Sequence, residues 1–173
     1  IGSSAFNGCR SLTSANFPAV TAINPSAFYS CTSLATAMFP EATSVGSGAF
    51  SNCASLTTIS FPAAVSIYNY AFYSCIALTT VSLPAATSIN YQAFYGCIAL
   101  TTVSLPAATS IGTSAFYNCS ALSSVYLMGS NMCSIANSNV FGASASIYVP
   151  TSLLTTYQSS TYWSAISARL VGA

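Results

Sequence analysis

The chain has 173 residues, and only three of them are charged: Arg10, Glu41 and Arg169. It contains no Lys, Asp or His, so it cannot form a carboxylate pair, a Ser or Cys catalytic triad based on His, or a Walker phosphate loop. A net charge of +1 also excludes the clustered basic surface that binds nucleic acid, so no nucleic-acid partner is expected.

A 22-residue repeat runs from residue 1 to about residue 127. Each of its six units has an Ala-Phe pair, a Cys three residues after the Phe and a Leu three residues after the Cys. The phenylalanine column is Phe6, Phe28, Phe50, Phe72, Phe94 and Phe116. The cysteine column is Cys9, Cys31, Cys53, Cys75, Cys97 and Cys119. One coil cannot bury its own apolar face but stacked coils can, so the period predicts a repeat solenoid.

Each unit is expected to contain one strand and one return segment. From Thr80 to Leu83 polar and apolar residues alternate, which is the pattern of a strand with one buried face. Pro84 cannot donate to a ladder and ends that strand. Ile89 and the Ala-Phe pair then return the chain. We therefore expect a right-handed β-solenoid with one parallel sheet, short helical or 3₁₀ turns and the phenylalanines in the core.

The repeat resembles the leucine-rich repeats, and more narrowly the BspA-like class. The shared landmarks are L-P near the strand end, T-S-I, A-F and C, although the unit is one residue shorter than is usual for that class. The resemblance covers residues 1 to about 127. It implies a secreted or surface-displayed bacterial or protist protein used for adhesion or recognition, with no catalytic residues to carry over.

The two ends of the chain depart from the repeat. Ile1 falls in the middle of a unit, so further coils or a cap are expected to precede it. Residues 128–150 break the period and are interpreted as an irregular last coil with a seventh strand near Ser146. Residues 151–173 carry two apolar clusters and are interpreted as a helical C-terminal cap that hides the exposed core of the last coil.

The cysteine column is interpreted as structural. Cysteines in a parallel stack form a straight row, which cannot surround a tetrahedral zinc ion and fits disulfide geometry poorly. We therefore expect buried, reduced thiols, with no metal and no cofactor. Cys133 lies outside the column and is either exposed or packed under the cap.

Two surfaces are candidates for binding. The outward strand positions form a Thr/Ser sheet face that ends in two tyrosines, and its candidate residues are Thr58, Thr80, Thr102, Tyr126 and Tyr148. The segments before the Ala-Phe pairs vary between units and bring Tyr68, Tyr70 and Tyr91 to adjacent coils, with Tyr73, Tyr95 and Tyr117 nearby. Either surface could be a plain solvated face. The mixture of Tyr, Ser, Asn and Gly is nevertheless typical of adaptable recognition surfaces.

The sequence thus predicts a non-enzymatic recognition or adhesion module that binds a protein or a glycan outside the cell. The alternative is a structural subunit of an extracellular fibre or sheath, stacked end to end, because an almost uncharged surface lacks the repulsion that keeps copies apart. The mean hydropathy is +0.65. No stretch approaches the roughly 20 apolar residues of a transmembrane helix, so no membrane span is expected.

Overall fold

The computed structural model describes residues 1–142 and 144–173, and its strands form a solenoid of stacked coils. In chain order they are β1 (Ser14–Asn16), β2 (Ala22–Ile23), β3 (Thr36–Met38), β4 (Ser44–Val45), β5 (Thr58–Ser60), β6 (Ser66–Ile67), β7 (Thr80–Ser82), β8 (Ser88–Ile89), β9 (Thr102–Ser104), β10 (Ser110–Ile111), β11 (Ser124–Tyr126), β12 (Ser134–Ile135), β13 (Ser146–Val149) and β14 (Leu170–Gly172). The predicted solenoid is therefore confirmed.

Equivalent strands of neighbouring coils pair in parallel, and each repeat supplies two strands rather than one. The longer strands form a three-stranded sheet, β1-β3-β5, and a five-stranded sheet, β7-β9-β11-β13-β14. The two-residue strands form a separate six-stranded sheet from β2 to β12. The expectation of one parallel sheet is thus corrected. The two-residue strand of each unit, which is Ser-Ile in four of the six, makes its own ladder, as between Ser66 and Ser88.

The return segments are chains of hydrogen-bonded turns rather than the helical or 3₁₀ turns expected. Each repeat holds two residues with positive φ, for example Gln92 at 52° and Gly96 at 71°. Left-handed residues interrupt any right-handed helix, which explains the difference. The backbone groups pair alternately within and between coils. Ala93 N–H donates to the carbonyl of Asn90 at 3.2 Å, whereas Phe94 N–H donates to the next coil at 2.8 Å.

The phenylalanine column forms the centre of the core. Rings one coil apart stack with centroids 4.9–5.3 Å apart and planes within 2–9° of parallel. All of them are fully buried except Phe6, which is half-buried in the first coil. A second stack of Phe17, Phe39 and Phe61 packs beside this column. The coils are therefore held by side-chain stacking as well as by backbone ladders.

The C-terminal segment covers the last coil, as the predicted cap requires. It contains 3₁₀ turns at Thr151–Leu153 and Ser164–Arg169, with helix α1 (Leu154–Ser159) between them. Trp163 is 1% exposed, and its indole N–H donates to the carbonyl of Cys133 at 2.8 Å. The cap is not wholly helical, because β14 pairs with the edge of β13. That strand satisfies backbone groups that a helix would leave open.

Candidate functional site

The sheet face carries five of the predicted binding residues. Thr58 and Thr80 are exposed, and Thr102 is half-buried in register with Thr80. Thr58 belongs to the other sheet, because β5 and β7 are neighbours that do not join one ladder in the described part of the chain. Tyr126 and Tyr148 stack with ring centroids 4.7 Å apart. The sheet face is thus a divided hydroxyl surface with one aromatic pair at its end.

The side of the solenoid formed by the return segments carries the three remaining predicted tyrosines, and two of these three are in contact. Tyr70 and Tyr91 meet edge to face with centroids 5.3 Å apart, and Tyr70 also meets Tyr73 at 5.9 Å. Tyr68 is 45% exposed and makes no ring contact of this kind within the described residues. Tyr70 has a φ of 59°, an unfavourable conformation for a bulky residue. Desolvation, with Tyr91 close by, raises the pKa of the Tyr70 hydroxyl, which stays neutral near pH 7.

A column of tyrosines, each directly after a phenylalanine, extends this aromatic surface. Tyr73 stacks on Tyr95 at 5.1 Å, and Tyr95 on Tyr117 at 5.9 Å. The amide of Asn118 donates to the Tyr95 hydroxyl at 2.9 Å. These rings were predicted only to lie near Tyr70 and Tyr91, although their 22-residue spacing is a direct sequence signal for a column. We call Tyr70, Tyr73, Tyr91, Tyr95 and Tyr117 together the tyrosine surface.

An open depression of about 450 Å³ lies at one end of the tyrosine surface. Tyr70 and Tyr73 line it from the fourth coil and Tyr29 from the second. Ser47, Gly48 and Ser51 of the third coil lie between these walls. This depression was not among the predicted binding surfaces. The sequence does indicate it, because Ser51 is the one interior position of the tyrosine column that is not tyrosine.

The cysteine column lies in the core, apart from Cys9. Each buried column thiol donates to the carbonyl oxygen of a phenylalanine in the preceding coil, at 3.0–3.2 Å. Burial raises the pKa of Cys53 to about 12, so this thiol is protonated and unreactive at neutral pH. Cys9, in the first described coil, is exposed, contrary to expectation. Cys133 is buried under the cap.

Of the charged residues, Arg169 borders the tyrosine surface, because it lines a depression shared with Tyr117. The Arg169 side chain donates from Nε to the carbonyl of Ala145 at 2.8 Å and from a terminal nitrogen to that of Gly142 at 2.7 Å. These bonds tie the cap to the last coil. Within residues 1–142 and 144–173, no group of three or more His, Cys, Asp or Glu side chains could hold a metal ion. No helix in this part of the chain is long and apolar enough to cross a membrane.

Comparison with known proteins identifies the repeat. The family model of the BspA type leucine rich repeat region matches six copies, within residues 1–123 and 65–167. A leucine-rich repeat protein from Bacteroides ovatus superposes with a TM-score of 0.68 and is 26% identical. The match covers 78% of this chain and 38% of that protein, so the chain spans well under half of its relative. No curated protein matches the sequence.

Two further solved structures share the fold at lower identity. The leucine-rich repeat protein of T. pallidum has a TM-score of 0.64 and 22% identity, over 79% of this chain and 74% of that one. The pneumococcal vaccine antigen PcpA has a TM-score of 0.70 and 14% identity, over 92% of this chain and 40% of that one. At these identities the likeness concerns the fold alone.

Proposed function

Because the chain belongs to the BspA-type leucine-rich repeat family, we propose that it is a non-enzymatic recognition module of a secreted or surface-displayed protein. The family is typical of surface and adhesion proteins, which favours an extracellular position. A chain without His, Lys or Asp and with a single Glu has no general base beside its Ser, Cys or Tyr residues. The function is therefore sought in surface contacts, with a protein or a glycan as the partner.

The observation that carries the proposal is the tyrosine surface. Tyr70, Tyr91 and Tyr117 are each at least 40% exposed, although they belong to one chain of ring contacts over three coils. Tyrosine supplies a large contact area at a low cost in conformational entropy, and its hydroxyl can donate or accept. Exposed aromatic patches of this kind mark interaction sites more often than plain surface. The sheet face offers only one aromatic pair.

The test is binding of the purified chain to arrays of glycans and of extracellular proteins. We expect saturable binding that is lost in the double variant Tyr95→Ser/Tyr117→Ser. Tyr126→Ser/Tyr148→Ser removes the same number of rings from the sheet face and is expected to bind normally. Affinity should change little between low and high salt, since the one charge beside the tyrosine surface is Arg169, which is half-buried and donates to backbone carbonyls. Absence of any saturable partner, or a loss confined to the sheet-face variant, would contradict the proposal.

Self-assembly into a fibre or sheath is the second candidate, favoured by the scarcity of charge. Arg10 and Glu41 are the exposed charged side chains in the described part of the chain, and Arg169 is half-buried. The cap argues against stacking through the C-terminal end, because Trp163 and β14 already cover the last coil. Light scattering and negative-stain microscopy of the purified chain separate the two: a 17.7 kDa monomer excludes assembly of this segment, and regular fibres make it the primary role.

A further inference from the structure

The depression at the third coil is a gap in an otherwise regular tyrosine column. The position after the Ala-Phe pair holds tyrosine in the second, fourth, fifth and sixth coils but Ser51 in the third. In the same coil Gly48 stands at the place that Tyr70 occupies one coil later. The preceding coil also lacks a ring at that place, where it has Ser26. The column ring itself is missing from the third coil alone, while the coils on either side keep it as Tyr29 and Tyr73. We call this place the Ser51 gap.

The Ser51 gap has the width of one ring. Tyr73 and Tyr95, which occupy the same position one coil apart, stack with centroids 5.1 Å apart. Tyr29 and Tyr73 are two coils apart, so the strand spacing places their positions roughly 10 Å from each other. One flat ring inserted midway would then contact each wall at about the distance at which neighbouring tyrosines already stack. The depression of about 450 Å³ lies in the range of small-ligand pockets.

The floor and rim of the gap are polar and uncharged. Ser51 is only 4% exposed and is the one buried polar residue in the described part of the chain. Its hydroxyl accepts a long 3.4 Å bond from the Asn52 amide and donates to no group among the described residues. Asn52 and Gln92 place amide groups at the edge. A charged ligand would meet no opposite charge there, because every lining residue is neutral.

We propose that the Ser51 gap binds a single pyranose ring of a neutral glycan, held between Tyr29 and Tyr73. The faces of a sugar ring are apolar C–H groups that pack on aromatic rings, and its edge carries hydroxyls that can pair with Ser51, Asn52 and Gln92. An aromatic side chain of a protein would fill the same space but leave these hydroxyls and amides unpaired, which costs binding energy. This inference rests on the proposed recognition function and specifies its ligand class: one ring of the glycan occupies the gap, and its further rings lie along the tyrosine surface that begins at Tyr73.

The experiment uses the variant Ser51→Tyr, which restores the interrupted column. The repeat itself accepts tyrosine at this position in four coils, so the variant is expected to fold. Ser104→Tyr is the matched control: it adds the same side chain to the sheet face, beside Tyr126 of the next strand. Binding is measured by saturation-transfer NMR and calorimetry with neutral oligosaccharides of glucose, galactose, mannose and N-acetylglucosamine. Circular dichroism and urea midpoints establish that each variant is folded.

Binding of a neutral oligosaccharide to the wild type and to Ser104→Tyr, with none to Ser51→Tyr, is the expected result. Equal binding by all three overturns the Ser51 gap as the site, while recognition by the tyrosine surface stands. No binding of any neutral sugar by the wild type also overturns the assignment, and the protein array then decides the proposed function separately. If Ser51→Tyr does not fold, Tyr29→Ser replaces it by removing one wall, and undiminished sugar binding overturns the proposal. A phenylalanine or tyrosine peptide that occupies the gap instead of sugars overturns it as well.

Discussion

Replacing Phe94 with alanine should destabilise the solenoid more than the same replacement at its first coil. Phe94 is fully buried and lies between Phe72 at 4.9 Å and Phe116 at 5.1 Å. Backbone hydrogen bonds to the coils before and after it hold the coil of Phe94 in place, so the structure cannot readily collapse into the cavity that the substitution leaves. We therefore expect the full cost of about 3–5 kcal/mol for Phe94→Ala. Phe6 is half-buried and stacks on Phe28 alone in its column, so Phe6→Ala should cost about half as much.

The measurement is urea unfolding followed by far-ultraviolet circular dichroism, with wild type and both variants under one set of conditions. The slope of free energy against urea should be the same in all three, so that the midpoints report stability. A midpoint for Phe94→Ala that is unmoved, or that shifts no further than that of Phe6→Ala, would refute the stacked column as the main source of core stability.

Three further perturbations test other parts of the structure. The pKa of Cys53 in the folded chain, about 12, exceeds that of an unfolded thiol. The protonated thiol's contribution to the free energy of unfolding is therefore complete below about pH 9. It is lost as the pH rises toward 12, at up to about 1.4 kcal/mol per pH unit. The fall in urea midpoint between pH 8 and 10.5 should be smaller in Cys53→Ala than in the wild type. Trp163→Ala should cost about 3–5 kcal/mol in thermal unfolding, whereas Trp163→Phe keeps most of the packing and should cost about 1–3 kcal/mol for the carbonyl left unpaired. Gly129→Ala would press its Cβ against a backbone carbonyl and should cost about 1–3 kcal/mol by urea unfolding, while Gly2→Ala, which meets nothing within 4 Å, should cost little.

The periodic part of the fold was predictable because each column repeats a physical requirement. The phenylalanines stack in the core at the spacing that the 22-residue period implies. The six-stranded sheet was not predicted, because its strands, such as Ser88–Ile89, are too short to show an alternation of polar and apolar residues. The left-handed turns do have a sequence signal, since the residue before each column cysteine is Gly, Ser or Asn. The strand Leu170–Gly172 has none, because it forms only by pairing with the last coil.

The candidate site was predictable only in part. Tyr70 and Tyr91 were expected on adjacent coils and do meet, whereas Tyr68 stays outside the ring contacts. The depression exists because the third coil has Ser51 where the neighbouring coils have tyrosine. A search for repeated residues detects the tyrosines easily but does not draw attention to the coil that lacks one. The division between β5 and β7 changes no residue type, so the sequence could not reveal that Thr58 and Thr80 belong to different sheets.

Hydroxyl-radical footprinting tests whether the tyrosine surface is the binding site. It is carried out on the chain with and without the array ligand that saturates at the lowest concentration. It reports the exposure of individual tyrosine side chains on both surfaces at once. We expect the ligand to lower oxidation of Tyr70, Tyr91 and Tyr117, and to leave oxidation of Tyr126 unchanged. Protection of Tyr126 and Tyr148 with no change at the tyrosine surface would contradict it and would place recognition on the sheet face.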